Sequence, residues 1–504
     1  MAIDGVSNRT SYIGSTILNM KSQLGELSQQ LASGKVSTTY AGQGVNRGLA
    51  VGLRAQISAI TAYADTATNI NTRINVANLS LQGLVDINKQ VKTAANGSSM
   101  ALGTGGQTSG QISAQSAFAN AIELLNTRSG DRYLFSGRAT DTPPTATSDE
   151  ILYGSADGTR AGLTQLIAER KGADLGSDGM GRLGVSAAGT SPITIAEDAA
   201  PSAFGMKLSA VNSTLTGATV SGPTGSPPEL SIDLNGVNPN DGDKLDITFE
   251  LPDGTHEKLT LTATTKAPPQ PGEFLIGADA NATSDNLQAA LQGGVKTLAN
   301  TALVAASAVA ASNDFFGSPP MRVDTSGGPL ASATALVAGT PADTISWYTG
   351  EVAQGPTDSA RGTAIGRVDQ AITVQYGARA NEDAFRIQLQ NIAVYAAVTT
   401  SSSDPYASGQ ATALSQRVAL NLSQQQGVQS IQDIQAEFGG AQTAIKAAGE
   451  RQAQVQGMTQ AMLDSIETVS PEEVSMKLLA LQTSLSASYQ TTSMLYKLSL
   501  TNYM

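Results

Sequence analysis

Hydrophobic residues near the start of the chain recur with the spacing of a coiled-coil helix. In residues 12–35, YIGSTILNMKSQLGELSQQLASGK, the apolar positions are separated alternately by four and three residues. This pattern predicts a helix over about 11–32 with one narrow apolar seam, closed by Ser33-Gly34. Such a helix is marginal alone in water, so we expect a partner to bury the seam. The seam residues are Ile13, Ile17, Met20, Leu24, Leu27 and Leu31.

A longer apolar stripe follows after a loop. From about 48 to 96 the apolar residues again recur mostly in steps of four and three, which predicts a long helix ended by Asn96-Gly97. Gly, Ser and Thr at 103–110 predict a reversal into a third helix, about 111–128. The stripe consists of Leu53, Ile57, Ile60, Tyr63, Ala67, Ile70, Ile74, Ala77, Leu81, Leu84 and Val91.

The middle of the chain is richer in Pro, Gly and Thr and contains alternating apolar residues. The segment LDITFELPDGTHEKLTLTA, 245–263, predicts a β-hairpin around Pro252-Asp253-Gly254. Residues 283–312 predict an Ala-rich helix that Gly293-Gly294 could interrupt. Residues 363–377 predict a strand, after which helical patterns return.

The last part of the chain is predicted to be helical almost throughout. One helix is indicated around 385–396, and Ser403-Asp404-Pro405 predicts the start of a long one, with heptad spacing from Val428 to Ile445. Ser470-Pro471-Glu472-Glu473 predicts the start of the final helix, with Ser470 as cap. The apolar residues of that final helix are Val474, Leu478, Leu481, Leu485, Leu495 and Leu498.

The two terminal helices therefore carry matching seams. We interpret them as helices that pair with each other and with copies from other chains, which makes the chain a homo-oligomer. The alternative is that both are ordinary core helices of one globule. The predicted polymerisation interface consists of Ile13, Ile17, Met20, Leu24, Leu27, Leu31, Val474, Leu478, Leu481, Leu485, Leu495 and Leu498.

Composition narrows the function classes. The 504 residues carry a net charge of −12, which argues against general nucleic-acid binding. The chain has no cysteine and one histidine, His256, so thiol chemistry is excluded and most zinc sites and general-base arrangements are disfavoured. We therefore expect neither an enzyme nor a cofactor or metal site. The N-terminus lacks a secretory signal pattern, and no run of 18 or more apolar residues suggests membrane insertion.

Three short motifs match patterns of binding sites, but the surrounding sequence favours a structural role for each. GMGRLG, 179–184, matches the dinucleotide fingerprint by letters, but no strand–turn–helix pattern surrounds it, so a loop entering a strand is the better interpretation. NPNDGDK, 238–244, departs from the spacing of a calcium loop and is better read as a polar turn. Trp347-Tyr348 is favoured as a packing anchor over a sugar platform.

Both ends of the chain resemble the bacterial flagellin family. The segment from QLASGK through AQISAITAYADTATNINTRINVANLSLQGLVDINKQVKTAANG is similar to the flagellin N-terminal region. GDRYLFSGRATDTPP looks like the turn that leaves the helical core in flagellins and in hook–filament junction proteins. LLALQTSLSASYQTTSMLYKLSLTNYM is similar to the C-terminal helix that both groups share. The resemblance covers about 1–140 and 363–504.

The resemblance implies a mainly α core of long antiparallel helices from both termini, with β-rich and α+β domains inserted outward. On this basis we expect an inner polymerising domain of 1–44 and 466–504 and an outer helical core domain of 45–135 and 375–465. We expect a β-rich domain of 136–200 and 325–374 and an outermost α+β domain of 201–324.

The resemblance also implies a function. It indicates an extracellular structural subunit of the flagellar filament, exported unfolded through the flagellar type III apparatus. The expected partners are identical subunits, an export chaperone, and hook-associated and cap proteins. A hook–filament junction protein is the alternative: the length favours filament flagellin, whereas the ending SLTNYM leans toward the junction type. A secreted adhesin with a helical stalk is a third reading.

Overall fold

The computed structural model describes residues 4–97, 101–198, 202–326, 328–353, 355, 358–423 and 427–501. About 53% of the chain is helical, and several small sheets are inserted between the helices. The architecture is therefore mostly helical with inserted sheet regions.

Long helices dominate both ends of the chain. The α helices are α1 (Asp4–Ser33), α2 (Arg47–Gly97), α3 (Ser109–Leu125), α4 (Ser148–Tyr153), α5 (Leu163–Leu175), α6 (Ala280–Leu298), α7 (Val304–Phe315), α8 (Asp383–Ala397), α9 (Ala407–Asn421), α10 (Ile431–Glu467) and α11 (Pro471–Thr501). Short 3₁₀ turns lie at Tyr40–Asn46, Leu330–Ser332 and Ala360–Thr363, and a π turn lies at Ala299–Leu303.

The strands lie between these helices. They are β1 (Arg128–Ser129), β2 (Arg132–Tyr133), β3 (Leu183–Val185), β4 (Ile193–Glu197), β5 (Lys207–Ser213), β6 (Thr219–Thr224), β7 (Glu229–Asp233), β8 (Lys244–Glu250), β9 (His256–Thr264), β10 (Glu273–Leu275), β11 (Met321–Val323), β12 (Leu336–Ala338), β13 (Ile365–Arg367) and β14 (Thr373–Gln375). Two four-stranded sheets have the orders β3-β4-β7-β6 and β10-β9-β8-β5, and only β10 pairs in parallel among their described pairings.

The chain divides into two compact units. Unit 1 comprises Met1–Asn71, Gly366–Val374 and Gln442–Met504, and unit 2 comprises Thr72–Ile365 and Gln375–Ala441. The four-domain division expected from the sequence stays a prediction, and its boundary near residue 200 lies outside the described residues.

Unit 1 is built from helices that carry the predicted stripes. Ala50, Leu53 and Leu463 form a small buried cluster, against which Ile57 and Ile466 pack. The segment 366–374 is fastened to α10, since Arg451 pairs with Asp369 and the Gln452 side chain donates to the Val368 carbonyl at 2.5 Å. The contacts of unit 1 described here are therefore between helices, and between α10 and the segment 366–374.

Unit 2 contains the larger core. The inner faces of both four-stranded sheets and one side of α6 share a continuous apolar cluster, in which Ile195, Ile247, Phe249 and Leu287 are almost fully buried. The predicted hairpin is confirmed: β8 and β9 pair antiparallel, with Ile247 opposite Leu259. Alternation along these strands places one side chain in two in the core.

The helices predicted near 11–32, 48–96 and 111–128 are present, with bounds that differ by a few residues. The apolar stripe of α2 is buried or half-buried along its length. α3 starts with a capping box, since the Thr108 hydroxyl accepts from the Gln111 N–H and the Gln111 side chain accepts from the Thr108 N–H.

The single long helix predicted from Ser403 is wrong. Two helices, α9 and α10, occupy this stretch, and Val428 lies between them; residues 424–426 lie outside the described residues. Gly427 has φ of +78°, a left-handed conformation that ends helical geometry. The Asp404 carboxylate still accepts a main-chain N–H near the start of α9, that of Tyr406, at 2.8 Å.

The Ala-rich helix is interrupted elsewhere than predicted. α6 continues through Gly293-Gly294. Glycine at position 294 gives room to β9, which packs close to it: a Cβ there would lie 2.7 Å from Leu259 Cδ1. The irregularity is the π turn Ala299–Leu303, where the Asn300 carbonyl accepts from the buried Gln410 side chain at 2.9 Å. The segment 363–377 likewise forms two short strands, β13 and β14, instead of one.

One stretch among the described residues is long and apolar enough to cross a membrane by length and composition. It is Ala280–Phe315, with a mean hydropathy of 1.3 over its most apolar window. Because 61% of that window is buried inside the protein, and a single such helix is weak evidence, the expected lack of membrane insertion stays a prediction.

Candidate assembly surface

The two terminal helices form an antiparallel pair. The Val36 N–H donates to the Glu467 carbonyl at 2.7 Å, and the Val469 N–H donates to the Gly34 carbonyl at 3.1 Å. These bonds hold the end of α1 beside the start of α11, and the two helices then pack along each other. The Ser470 hydroxyl caps α11 by accepting from the Glu473 N–H at 3.3 Å.

Pairing covers the predicted seam only in part. Val474 is buried, but Leu31 and Leu495 remain 40% and 46% exposed. The side chain of Leu498 lies outside the described part of the structure. The remaining predicted interface residues are half-buried: Ile13, Ile17, Met20, Leu24, Leu27, Leu478, Leu481 and Leu485. Their role in polymerisation stays a prediction.

The opposite side of α11 carries a second set of apolar residues, which we call the outer face and define as Met476, Leu479 and Met494. At 100° per residue, Met476 and Met494 lie about 200° from Val474 around the helix. These three side chains are 66%, 66% and 64% exposed. The sequence analysis did not single them out, because Thr483, Ala487 and Gln490 lie between Leu479 and Met494 on this side and no continuous apolar stripe marks it.

Exposed apolar side chains continue over the rest of unit 1. Tyr12 and Leu18 on α1 are 75% and 68% exposed, and Met458 on α10 is 66% exposed. Scattered exposed apolar residues are normal, whereas a concentration of large ones marks an interaction surface. Further large apolar residues exposed in unit 1 are Tyr40, Val45, Leu49, Val51, Met462 and Tyr489.

The terminal helices carry few charges. Within α1, Asp4 and Glu26 balance Arg9 and Lys21, and residues 478–496 of α11 contain no charged residue. Helices without net charge can lie beside identical copies without accumulating repulsion.

The Glu467 carboxylate is a buried hydrogen-bond acceptor within unit 1. Its Oε1 accepts from Arg54 Nε at 3.1 Å and from Gln43 Nε2 at 3.0 Å, and its Oε2 accepts from Arg54 Nη2 at 2.5 Å. Hydrogen bonds from Arg54 lower the pKa of the Glu467 carboxyl below its ordinary value. Arg54 also donates to the Tyr40 hydroxyl at 3.2 Å. One carboxylate thus fastens α10 to α2 and to the 3₁₀ turn at Tyr40–Asn46.

The motifs that suggested other chemistry have structural roles in the described residues. Asp243 accepts from the N–H groups of Thr216 and Asn240, so this carboxylate holds turns together. The described residues contain no cluster of three or more His, Asp or Glu suited to a metal. The segment 179–184 is a loop entering β3. Trp347 is buried, and its ring nitrogen donates to the Phe316 carbonyl at 3.1 Å, which confirms a packing role.

Comparison with known proteins adds no assignment, since no family model and no curated protein matches the chain.

Proposed function

We propose that the chain is a structural subunit of the bacterial flagellar filament, which polymerises through its terminal helices. The observation that carries this proposal is the apolar character of α11 on two opposite sides, of which α1 covers one. The outer face, Met476, Leu479 and Met494, is exposed in the isolated chain. The resemblance of both ends to flagellins indicates that the assembly is a flagellar filament.

The energetics favour assembly of this surface. Full burial of a large apolar side chain contributes about 1.5–3 kcal/mol, so the outer face alone represents several kcal/mol that a neighbouring copy would gain. Ordering the terminal segments costs about 1–2 kcal/mol per residue in backbone entropy. Assembly therefore couples to the ordering of helix ends, and an identical subunit, whose terminal helices likewise carry no net charge, fits the surface.

Under this proposal the domains are layered as the resemblance implies. Segments 1–44 and 466–504 polymerise at the inside, 45–135 and 375–465 surround them, and 136–374 projects outward. The subunit is secreted unfolded by the type III export apparatus with a chaperone, and it meets hook-associated and cap proteins outside the cell. It has no catalytic role and needs no cofactor.

A hook–filament junction protein is the second candidate, favoured by the ending SLTNYM. Both candidates use the same terminal helices, and copy number per flagellum separates them. A filament subunit is present in large excess over the hook, whereas a junction protein forms a short zone. A secreted adhesin is the third candidate and requires a binding head that works without polymer.

Truncation tests the proposal directly. The full chain and versions lacking about 40 residues from either end are compared by electron microscopy and circular dichroism. Loss of filaments in both truncations, with helicity retained in the soluble chain, is the expected result. Filaments that persist after both truncations would remove these helices from the assembly surface.

A further inference from the structure

Unit 2 contains a groove whose lining suits a ligand and has no part in the proposed assembly. Its volume is about 630 Å³, within the range of small-molecule sites. Its walls come from three separate parts of the chain: the β1–β2 hairpin with the adjoining Asn126, several residues between 142 and 160, and several between 341 and 349. The groove therefore exists only in the folded chain.

Two guanidinium groups line this groove, and neither donates a hydrogen bond to a carboxylate among the described residues. Arg128 donates to the Asp131 carbonyl at 3.0 Å and lies 4.9 Å from the centre of the Tyr133 ring. Arg160 has one ion-pair contact among the described residues, to Glu150 at 3.8 Å. Guanidinium groups whose N–H donors are not all used can bind an anion. This holds here although the chain as a whole has a net charge of −12.

The Glu150 carboxylate is held in place by hydrogen bonds from Thr147. Its Oε2 accepts from the Thr147 hydroxyl at 3.0 Å and from the Thr147 N–H at 3.3 Å, as the capping box of α4. It therefore stays in place as a fixed acceptor on the groove wall. Arg128, Arg160 and Glu150 together leave one positive charge, which matches a monoanion.

A buried hydroxyl on the same lining lacks a partner. Thr145 is 3% exposed, and its Oγ1 has no hydrogen bond in the described structure. Its main chain is fixed independently, since its N–H donates to the Asn126 side chain at 3.2 Å and it bridges to Tyr348. An unpartnered buried hydroxyl is costly. Because this oxygen has almost no solvent exposure, a ligand hydroxyl contacts it, and relieves that cost, only when the Thr145 side chain rotates toward the groove.

We propose that this groove binds a small polyhydroxylated monocarboxylate, of the uronic acid class of sugars. The two guanidinium groups hold the carboxylate, and Glu150 and the threonine hydroxyls hold the ring hydroxyls. Neutral sugars leave the guanidinium groups unpaired. Phosphate brings up to two negative charges toward Glu150 and has no array of hydroxyls to meet the threonines. The proposal is independent of polymerisation.

The test is calorimetric titration of the full, unpolymerised chain with glucuronate, glucose and inorganic phosphate. Saturable binding of glucuronate is expected, with glucose and phosphate at least about tenfold weaker, because the charge-assisted bonds and the hydroxyl contacts both contribute. Absence of saturable glucuronate binding would overturn the proposal. Equal binding of phosphate would overturn the sugar assignment and leave a general anion site.

Substitutions locate the binding. Arg128→Gln and Arg160→Gln should each weaken glucuronate binding about tenfold. Arg132→Gln is the matched control, because Arg132 belongs to the same hairpin but lines a different, smaller cavity. Thr145→Val should weaken binding without lowering the melting temperature, since the hydroxyl has no partner within the fold. Unchanged affinity in all three groove variants would place the ligand elsewhere and reject the site.

Discussion

Arg54 and Glu467 lie 413 residues apart in the sequence and are joined by two hydrogen bonds, Nε to Oε1 at 3.1 Å and Nη2 to Oε2 at 2.5 Å. The Glu467 side chain is 8% exposed, whereas that of Arg54 is 41% exposed. The same carboxylate accepts from Gln43. The pair therefore holds the end of α10 against α2 within unit 1.

Glu467→Gln should destabilise unit 1. The amide oxygen can still accept from Arg54 Nε and Gln43, but the amide nitrogen in place of Oε2 cannot accept from Arg54 Nη2, and the negative charge of the pair is lost. We expect a cost of about 1 kcal/mol, given the exposure of Arg54. Urea denaturation followed by circular dichroism measures the loss. Glu473→Gln is the control, because Glu473 and Lys477 form an exposed pair within α11 that contributes little. Equal effects of both substitutions would contradict the anchoring role.

Acid should weaken unit 1. Hydrogen bonds from Arg54 lower the pKa of Glu467 from an ordinary value of 4.5, and Arg451 lowers that of Asp369 from 3.8. A carboxyl with a lowered pKa contributes stability above its ordinary pKa, and this contribution is lost as the pH falls through the folded value. The urea midpoint should fall as the pH drops below about 4.5. Glu467→Gln should flatten that slope; an unchanged slope would assign the acid sensitivity to other groups.

Arg417→Met should loosen the β8–β9 turn. Arg417 donates to Asp253 at 2.9 Å and to Glu257 at 3.0 Å, and the side chains of Arg417 and Asp253 are 7% and 3% exposed. Removing the cation leaves a buried carboxylate unpaired, a loss of about 3 kcal/mol. Hydrogen exchange over 251–257 should quicken. Lys258→Met, which breaks an exposed pair with Asp246, should leave exchange unchanged.

Leu479→Gln should impair assembly while preserving the monomer. Leu479 is 66% exposed, so a polar side chain there costs the isolated chain little, but it removes apolar burial from the proposed contact. Light scattering of polymerising samples should show a higher critical concentration. Val337→Gln, at a 48% exposed position of β12, is the control. Equal polymerisation of both variants would exclude the outer face from the contact.

Local periodicity was sufficient to predict α1, α2 and the hairpin, but not the break between α9 and α10. The stripe from Leu53 to Val91 and the alternation in 245–263 each report one buried side, which is a property of neighbouring residues. The sequence pattern did not predict features that involve residues distant in the chain. The Asn300 carbonyl in the π turn Ala299–Leu303 accepts from Gln410 of α9, and a Cβ at Gly294 would collide with Leu259.

The candidate sites show the same limit. The seam residues from Ile13 to Leu31 follow from spacing, whereas Thr483 and Gln490 interrupt the outer face of α11, so spacing did not mark it. The bond between Arg54 and Glu467, and the meeting of Arg128 with Arg160, join residues that no local pattern connects. Only the folded chain shows which charges find partners.

The charge-free stretch 478–496 also sets how the terminal helices respond to the solvent. Sodium chloride affects contacts between helices mainly by screening charges, and this stretch contains no charged residue. Sulfate and similar excluded salts instead favour the removal of apolar surface from water. Turbidity of the unpolymerised chain should therefore rise steeply in ammonium sulfate and hardly change in sodium chloride at the same ionic strength.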